Sequence, residues 1–164
     1  MMISTMIDGN KFNFRVSGIF IDSENKRFLT NTGEGFDFSV LPGGRVESGE
    51  PSDIALKREI QEELGEEIEI IALKSIIENF FNFKGVSVQE LQFIYIAKLK
   101  DKKLESIQGK FKSVENKDYY EWVNFEDLYD LVYQPDFAKH IIKQVIYGDY
   151  SFQRVSNFEN FSKK

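Results

Sequence analysis

The spacing of apolar residues along the chain changes period where the secondary structure is expected to change. In the run KFNFRVSGIFI at 11–21, Phe12, Phe14 and Val16 recur at every second position among aromatic and β-branched residues, which predicts a strand. Asp22 to Asn25 reads as a turn, and 27–30 as a second, short strand. NTGEGFDFSVLPGG begins as a glycine-punctuated loop, then Phe36, Phe38 and Val40 alternate into Leu41 and deliver the chain to Gly43 and Gly44. From Pro51 the period lengthens. Leu56, Ile60 and Leu64 recur every four positions and form the apolar stripe of a short helix. Pro51 marks its start, Ser52 and Asp53 lie in its first turn, and Gly65 marks its stop.

Two long apolar runs follow, 67–83 and 86–99, separated by Lys84-Gly85, and they predict a hairpin. If those two residues are the whole turn, Phe83 pairs with Val86 and Asn79 falls opposite Glu90. On the second strand Leu91, Phe93, Tyr95 and Ala97 take one face, while Glu90, Gln92, Ile94 and Ile96 take the other. Both faces are mostly apolar, so this strand is expected at the centre of a sheet with a polar mouth at Glu90 and Gln92. The polar stretch 100–118 reads as a loop or extended excursion, YYEWV at 119–123 as a last strand, and 125–131 as a short helix. Pro135 opens a clearer helix, with Phe137, Ala138, Ile141, Ile142, Val145 and Ile146 as its apolar stripe and Gly148 at its end. In the tail, 149–164, the spacing of three between Phe152, Val155, Phe158 and Phe161 is that of a last helical turn docked on the same chain. A homodimer that uses this tail is the alternative.

The helix at 52–64 carries the candidate chemistry. Glu59, Glu62 and Glu63 are spaced i, i+3 and i+4, so three carboxylates crowd onto one face. The residues four positions after Glu59 and Glu62 are Glu63 and Glu66, so no counter-charge is expected from within the helix. Oxygen ligands without histidine or cysteine call for a hard divalent ion, Mg²⁺ or Mn²⁺. Ala55, between Glu59 and Glu62 on the helical wheel, leaves room for a second backbone, which the Gly43-Gly44 pair can supply.

With Gly44, Glu50, Arg58, Glu59, Glu62, Glu63 and Gly65 at these intervals, the stretch GRVESGEPSDIALKREIQEELG resembles the Nudix box of the Nudix (MutT-like) hydrolase family. It departs from the box in having Glu66 after the last glycine instead of a bulky aliphatic, which leaves the register of the next strand open. A tryptophan-bearing strand, a short helix, a proline and an amphipathic helix also match the usual Nudix ending, so the likeness runs from about Asn13 to Ile146. The resemblance implies an α/β fold, an α/β/α sandwich around a central mixed sheet. It also implies hydrolysis of a phosphoanhydride with Mg²⁺ (or Mn²⁺), metals held by Glu59, Glu62, Glu63 and the backbone carbonyl of Gly44, and a supporting salt bridge between Arg58 and Glu50. The family recruits its general base from different places. Glu90, at the start of a central strand beside Gln92, is the candidate here, with Glu47 or Glu78 as alternatives. Arg45, Phe81 and Gln92 are the expected substrate contacts, with Phe81 or a neighbouring ring, Phe80 or Phe83, against a nucleobase.

Composition narrows the picture. At 164 residues without a linker or repeat, the chain is expected to be a single domain, 1–164, with the box at 44–65. The absence of cysteine excludes a disulfide framework, a thiolate zinc site and a cysteine nucleophile. His140, the one histidine, has no dyad partner in the pattern and reads as a surface residue. A net charge of −6 argues against nucleic-acid polymers but suits a small anion bound through divalent cations. No run approaches a membrane span and the start, MMISTMIDGN, lacks the features of a signal peptide, so a cytoplasmic location is expected. The substrate is narrowed only by what the chain lacks. Its prolines are Pro42, Pro51 and Pro135, so the downstream proline of ADP-ribose-cleaving relatives is missing. A nucleotide-type small molecule, nucleoside triphosphate or nucleoside diphosphate-linked, remains. The rival reading is a Nudix module that binds a nucleotide without cleaving it, against which the full set of glutamates stands.

Overall fold

The structure, a computed structural model, describes residues 1–33 and 37–159. Its strands are β1 (Ser4–Ile7), β2 (Asn10–Asp22), β3 (Arg27–Asn31), β4 (Gly43–Arg45), β5 (Ile68–Phe83), β6 (Val86–Leu99), β7 (Lys110–Lys112), β8 (Tyr119–Asn124) and β9 (Gln153–Ser156). The helices are α1 (Ser52–Leu64) and α2 (Ala138–Ile146), with 3-10 turns at Lys103–Ser106 and Phe125–Asp130. The sheet is mixed and ordered β7-β8-β3-β2-β6-β5-β9, with β1 and β4 both paired to β2.

Its centre is the parallel pair β2–β6, flanked by the β5–β6 hairpin. That hairpin turns on Lys84 and Gly85, both at positive φ (50° and 80°), the geometry of a two-residue turn that matches the strand twist. Phe83 therefore pairs with Val86 and Asn79 with Glu90, as the sequence predicts. A second hairpin, β1–β2, turns in the same way on Asp8 and Gly9 (φ 50° and 80°). The Asp-Gly dipeptide carries that information, but the polar flanks of β1 hide the alternation that would draw attention to it.

The sheet is packed on both faces. On one, Ala55, Leu56, Ile60 and Leu64 of α1 meet Val16, Phe20, Ala97, Tyr120 and Trp122. On the other, Ala138, Ile141, Ile142 and Val145 of α2 meet Ile19, Phe28, Ile77, Ile94 and Ile96. This is the α/β/α sandwich. Gly65 closes α1 in the left-handed region (φ 68°), and its N–H bonds the Gln61 carbonyl. The polar residue after it is buried: Glu66 pairs with Lys103 Nζ at 2.9 Å, and the strand begins two residues later at Ile68. Glu66 thus spends the missing aliphatic position on an ion pair with the excursion.

That excursion, 100–118, contains a 3-10 turn and β7, which pairs with β8, so it is more ordered than its polarity suggests. Buried groups pin it. Trp122 Nε1 donates to the Leu104 carbonyl (2.9 Å), and Arg27, paired with Asp22 at 2.6 Å, donates to the Glu105 carbonyl. Three further expectations need correction. The last helix starts at Ala138, since Pro135 and Asp136 only supply the turn that precedes it. Ser39 and Val40 make single bridges to Tyr133 and Asn31 instead of continuing a strand, and Phe36 lies outside the described residues. The tail does dock on its own chain, but as β9 and not as a helical turn. It runs parallel to β5, tied by Lys74 Nζ to the Ser151 carbonyl (2.7 Å) and by Asn157 to Phe80 N (2.7 Å). An uncovered β5 edge leaves backbone donors and acceptors unpaired, so ladder bonds override the weak spacing of the phenylalanines. Phe152 and Phe158 remain about half exposed, and Phe161 lies outside the described residues. No helix among the described residues is long and apolar enough to cross a membrane.

Candidate active site

The site forms where α1 docks against β4. Val16 of β2 pairs with Gly44 of β4, and a β-carbon at Gly44 would overlap the Glu59 carboxylate, so only glycine allows this approach. Arg58 organises the acidic face. It grips Glu50 with both arms of its guanidinium, Nη2 to Oε1 at 2.6 Å and Nε to Oε2 at 3.1 Å, and donates to the Arg45 carbonyl at 3.1 Å. Its Nη1 reaches Glu59 Oε1 at 3.0 Å and Glu62 Oε2 at 3.2 Å. The Arg58–Glu50 pair implied by the resemblance is present. The expectation that the helix supplies no counter-charge is wrong, because it considered only the residues following each glutamate. Arg58 lies four positions before Glu62 and next to Glu59, and it bridges both. Its hydrogen bonds hold the Glu50 carboxyl below the usual range.

Glu63 is different. Its Oε2 is buried without a hydrogen-bond partner. Burial, then Asp118, Glu59 and Glu115, push its carboxyl above the usual range. Burial also raises Glu59, against the pull of Arg58. A buried, unpartnered carboxylate oxygen beside a second desolvated carboxylate, on a backbone that approaches closely, fits a hard cation held by oxygen donors. Among the described residues no three acidic side chains yet converge on one point, since Arg58 holds Glu59 and Glu62 toward itself. Glu59, Glu62, Glu63 and the Gly44 carbonyl are the donors such an ion would recruit. When bound, it supplies charge neutralisation for phosphate oxygens and lowers the pKa of a water. One measurement follows. A ligand confined to the native state adds about 2.7 kcal/mol at a hundredfold excess over Kd. The melting temperature is therefore expected to rise with Mg²⁺, and by less in Glu63→Gln. An equal rise with sodium chloride at matched ionic strength would make it general screening of a chain at −6.

The remaining expected residues lie on the other face of the sheet. Reading across the register, Arg45 of β4 stands opposite Arg15 of β2, and Arg15 beside Gln92 of β6. In the next row Asn13 aligns with Glu90, which pairs with Asn79. Phe81, two residues beyond Asn79, shares that face. Gln92 Nε2 donates to Ser17 Oγ at 2.6 Å, and its Oε1 is buried without a partner. Arg45, Gln92, Glu90 and Phe81 are thus brought to one face, while Glu59 meets Gly44 on the other. Glu47 faces the N-terminal ammonium at 3.6 Å, and Glu78 is held by Arg154 at 2.9 Å. His140 is exposed on α2.

Sequence reasoning missed the residues that surround Glu63. A tight turn at 113–118 is built on Ser113, whose Oγ accepts from Lys117 N and Asp118 N, both at 3.2 Å. It is tied to α1 by Val114 N donating to the Glu63 carbonyl at 2.8 Å. This delivers Glu115 and Asp118 to the neighbourhood of Glu63. Tyr120 is fully buried, and burial and then Glu63 push its phenol far above the usual range. The alternation of Tyr120 and Trp122 marks the inward face of β8, but nothing in the sequence ties that face to the box. Arg15, hidden in an aromatic strand, gave no sign.

Fold and site together define an α/β/α sandwich with a glutamate-lined helix docked on a Gly-Gly strand. The Nudix domain model matches residues 12–145, and the chain belongs to the Nudix family. It is 38% identical over 71 residues to an 8-oxo-dGTP diphosphatase of Haemophilus influenzae, a match covering 42% of this chain and 49% of that protein. The chain thus spans about half the length of this curated relative. Among solved structures it superposes on a UDP-X diphosphatase with a TM-score of 0.64 at 18% identity, covering 92% of this chain and 69% of the other. It superposes on the MutT protein of Bacillus halodurans with a TM-score of 0.60 at 21% identity, covering 89% and 92%. At these identities the structural likeness speaks for the fold.

Proposed function

We propose that this protein hydrolyses a phosphoanhydride in a nucleoside triphosphate or a nucleoside diphosphate-linked compound, using Mg²⁺ or Mn²⁺. The observation that carries this reading is the acidic face of α1: Glu59 against Gly44, and Glu63 with a buried oxygen that has no partner. Phosphoanhydride cleavage needs neutralised phosphate oxygens, a positioned water and a base. The glutamates serve the first. Arg58 fixes two of them and anchors the loop through Glu50 and the Arg45 carbonyl. The relative named as an 8-oxo-dGTP diphosphatase supports a nucleoside triphosphate as the first substrate to test. A single domain over 1–164 and a cytoplasmic setting accord with this role.

For the general base, Asp118 is favoured over Glu90. Asp118 acts on Glu63 through space, whereas Glu90 lies in the row with Asn13 and Asn79 on the opposite face of the sheet. Asp118→Asn is expected to lower kcat about a hundredfold, and Glu90→Gln to change KM instead. A wild-type kcat in Asp118→Asn with a depressed kcat in Glu90→Gln would return the role to Glu90. The function itself is tested by incubating the full chain with nucleoside triphosphates and nucleoside diphosphate sugars, with Mg²⁺, Mn²⁺ or chelator, and identifying products by mass. Metal-dependent release of a nucleoside monophosphate supports it. Tight binding without turnover across the panel would favour the nucleotide-sensing reading.

A further inference from the structure

The path of the sheet ends at β7 and β9, and β1 lies outside it, paired only with β2. β7 is three residues long and carries Lys110 and Lys112, and β9 is four residues long and carries Arg154. Short, charged strands resist pairing with another chain. β1 has no such guard. The run Ile3-Ser4-Thr5-Met6-Ile7 contains no charge and no proline, and Met6 and Ile7 are each more than half exposed. The backbone of this run has two distinct sides. Phe14 N donates to the Ile3 carbonyl (3.0 Å) and Ile3 N to the Val46 carbonyl (2.8 Å), so Ile3 turns both groups inward, toward β2 and the loop after β4. Such groups alternate along a strand, so Thr5 and Ile7 also face inward while Ser4 and Met6 face outward. Ser4 N is taken by the Met2 carbonyl at 3.0 Å. The Ser4 carbonyl and the N–H and carbonyl of Met6 are left directed away from the sheet, with no strand beside them among the described residues.

We propose that the outer edge of β1 pairs with β1 of a second copy of this chain, antiparallel about a two-fold axis at Thr5. The edge itself selects this occupant. Ile3-Ser4-Thr5-Met6-Ile7 begins and ends on isoleucine around a central threonine, so it complements its own reverse. In that overlay Thr5 meets the partner's Thr5, a pair favoured on neighbouring strands, and Ile3 meets the partner's Ile7 on the same face. These are the pairs whose backbones point away from the new ladder, which bring side chains closest. The outward groups do the bonding. Each Met6 N–H donates to the partner's Ser4 carbonyl, and two more bonds form if each Ser4 N–H exchanges the Met2 carbonyl for the partner's Met6 carbonyl. No charged side chain lies within the overlay, and no bond of the β1–β2 ladder is used, so the loop held by Ile3 stays in place. The contact uses the same patch on both copies and therefore closes at two. A ladder this short belongs with the small interfaces, below about 1,200 Å² in total, so a dimer that dissociates in the micromolar range is expected. The tail is already engaged on β5 as β9 and is not needed.

Sedimentation equilibrium of the full chain across the micromolar range tests this without reference to turnover. Wild type is expected to pass from monomer to dimer as concentration rises. Thr5→Lys and Thr5→Glu each bring like charges together at the axis and are expected to weaken self-association at least about tenfold, whereas an equimolar mixture of the two regains the dimer. Thr5 is exposed, so neither change is expected to lower the melting temperature. A wild type that stays monomeric, or a dimer unchanged in both variants, overturns the pairing. A mixture that fails to recover also overturns it, because the threonines would then not face each other. Mass that keeps growing beyond the dimer replaces the closed pair with open-ended association and overturns it as well. If Thr5→Lys melts several degrees below wild type, Met6→Pro decides, since it removes only an outward N–H that β2 does not use: a monomer upholds the pairing and a dimer overturns it.

Discussion

Glu63→Gln is expected to lower kcat about a thousandfold while leaving the metal-free protein at least as stable as wild type. The two halves have one cause. Glu63 holds a buried oxygen without a partner, and burial followed by Asp118, Glu59 and Glu115 raises its carboxyl above the usual range. A carboxylate whose pKa rises on folding costs native-state stability at neutral pH, and that cost disappears as pH falls and the group protonates. The neutral isostere removes the same cost at every pH. What it forfeits is a charged oxygen for the cation, and a thousandfold in rate corresponds to about 4 kcal/mol of transition-state stabilisation. The check is kcat at saturating Mg²⁺ together with a melt in chelator. Wild-type turnover would remove Glu63 from the machinery. Lost turnover accompanied by a melting temperature several degrees lower would assign it a structural role.

The distance along the chain between a feature and what determines it explains which parts of the protein were legible in the sequence. Elements governed by local chemistry were read closely. The Lys84-Gly85 turn fixed the register of the long hairpin, and Pro51 and Gly65 bounded α1. Local spacing also grouped Glu59, Glu62 and Glu63. The missed features depend on pairing between distant segments. β9 covers β5 from more than 70 residues away, and the Ser113 turn brings Asp118 to a helix that ended some 50 residues earlier. Charge balance failed for a related reason. Looking forward from each glutamate found only more acid, whereas Arg58 looks both ways: back to Glu50 and the Arg45 carbonyl on the loop, and on to Glu59 and Glu62 along the helix. Likewise the row Arg45, Arg15 and Gln92 exists only because β4 and β6 flank β2, a topology that no local pattern encodes.

Arg58→Ala is accordingly expected to cost about 3 kcal/mol of stability and to lower kcat/KM at least a hundredfold. The stability loss follows from what remains behind: Glu50, whose side chain is 16% exposed, keeps its charge and loses a bidentate partner. The hydrogen bond it accepts from Glu47 N does not replace a guanidinium. Removing both partners should cost less than removing the arginine alone, because no orphaned charge is left. Glu50→Gln combined with Arg58→Met is therefore expected to be more stable than Arg58→Ala, yet equally slow, since Glu59, Glu62 and the Arg45 carbonyl lose their anchor in both. Arg58→Lys keeps the charge without the fork and should fall between wild type and Arg58→Ala in stability. Denaturant unfolding gives the stability order and steady-state kinetics the rest. If Arg58→Lys matches wild type in both, charge alone suffices at this position and the fork geometry has no role. If the double variant is less stable than Arg58→Ala, the Glu50 contact is not the source of the loss.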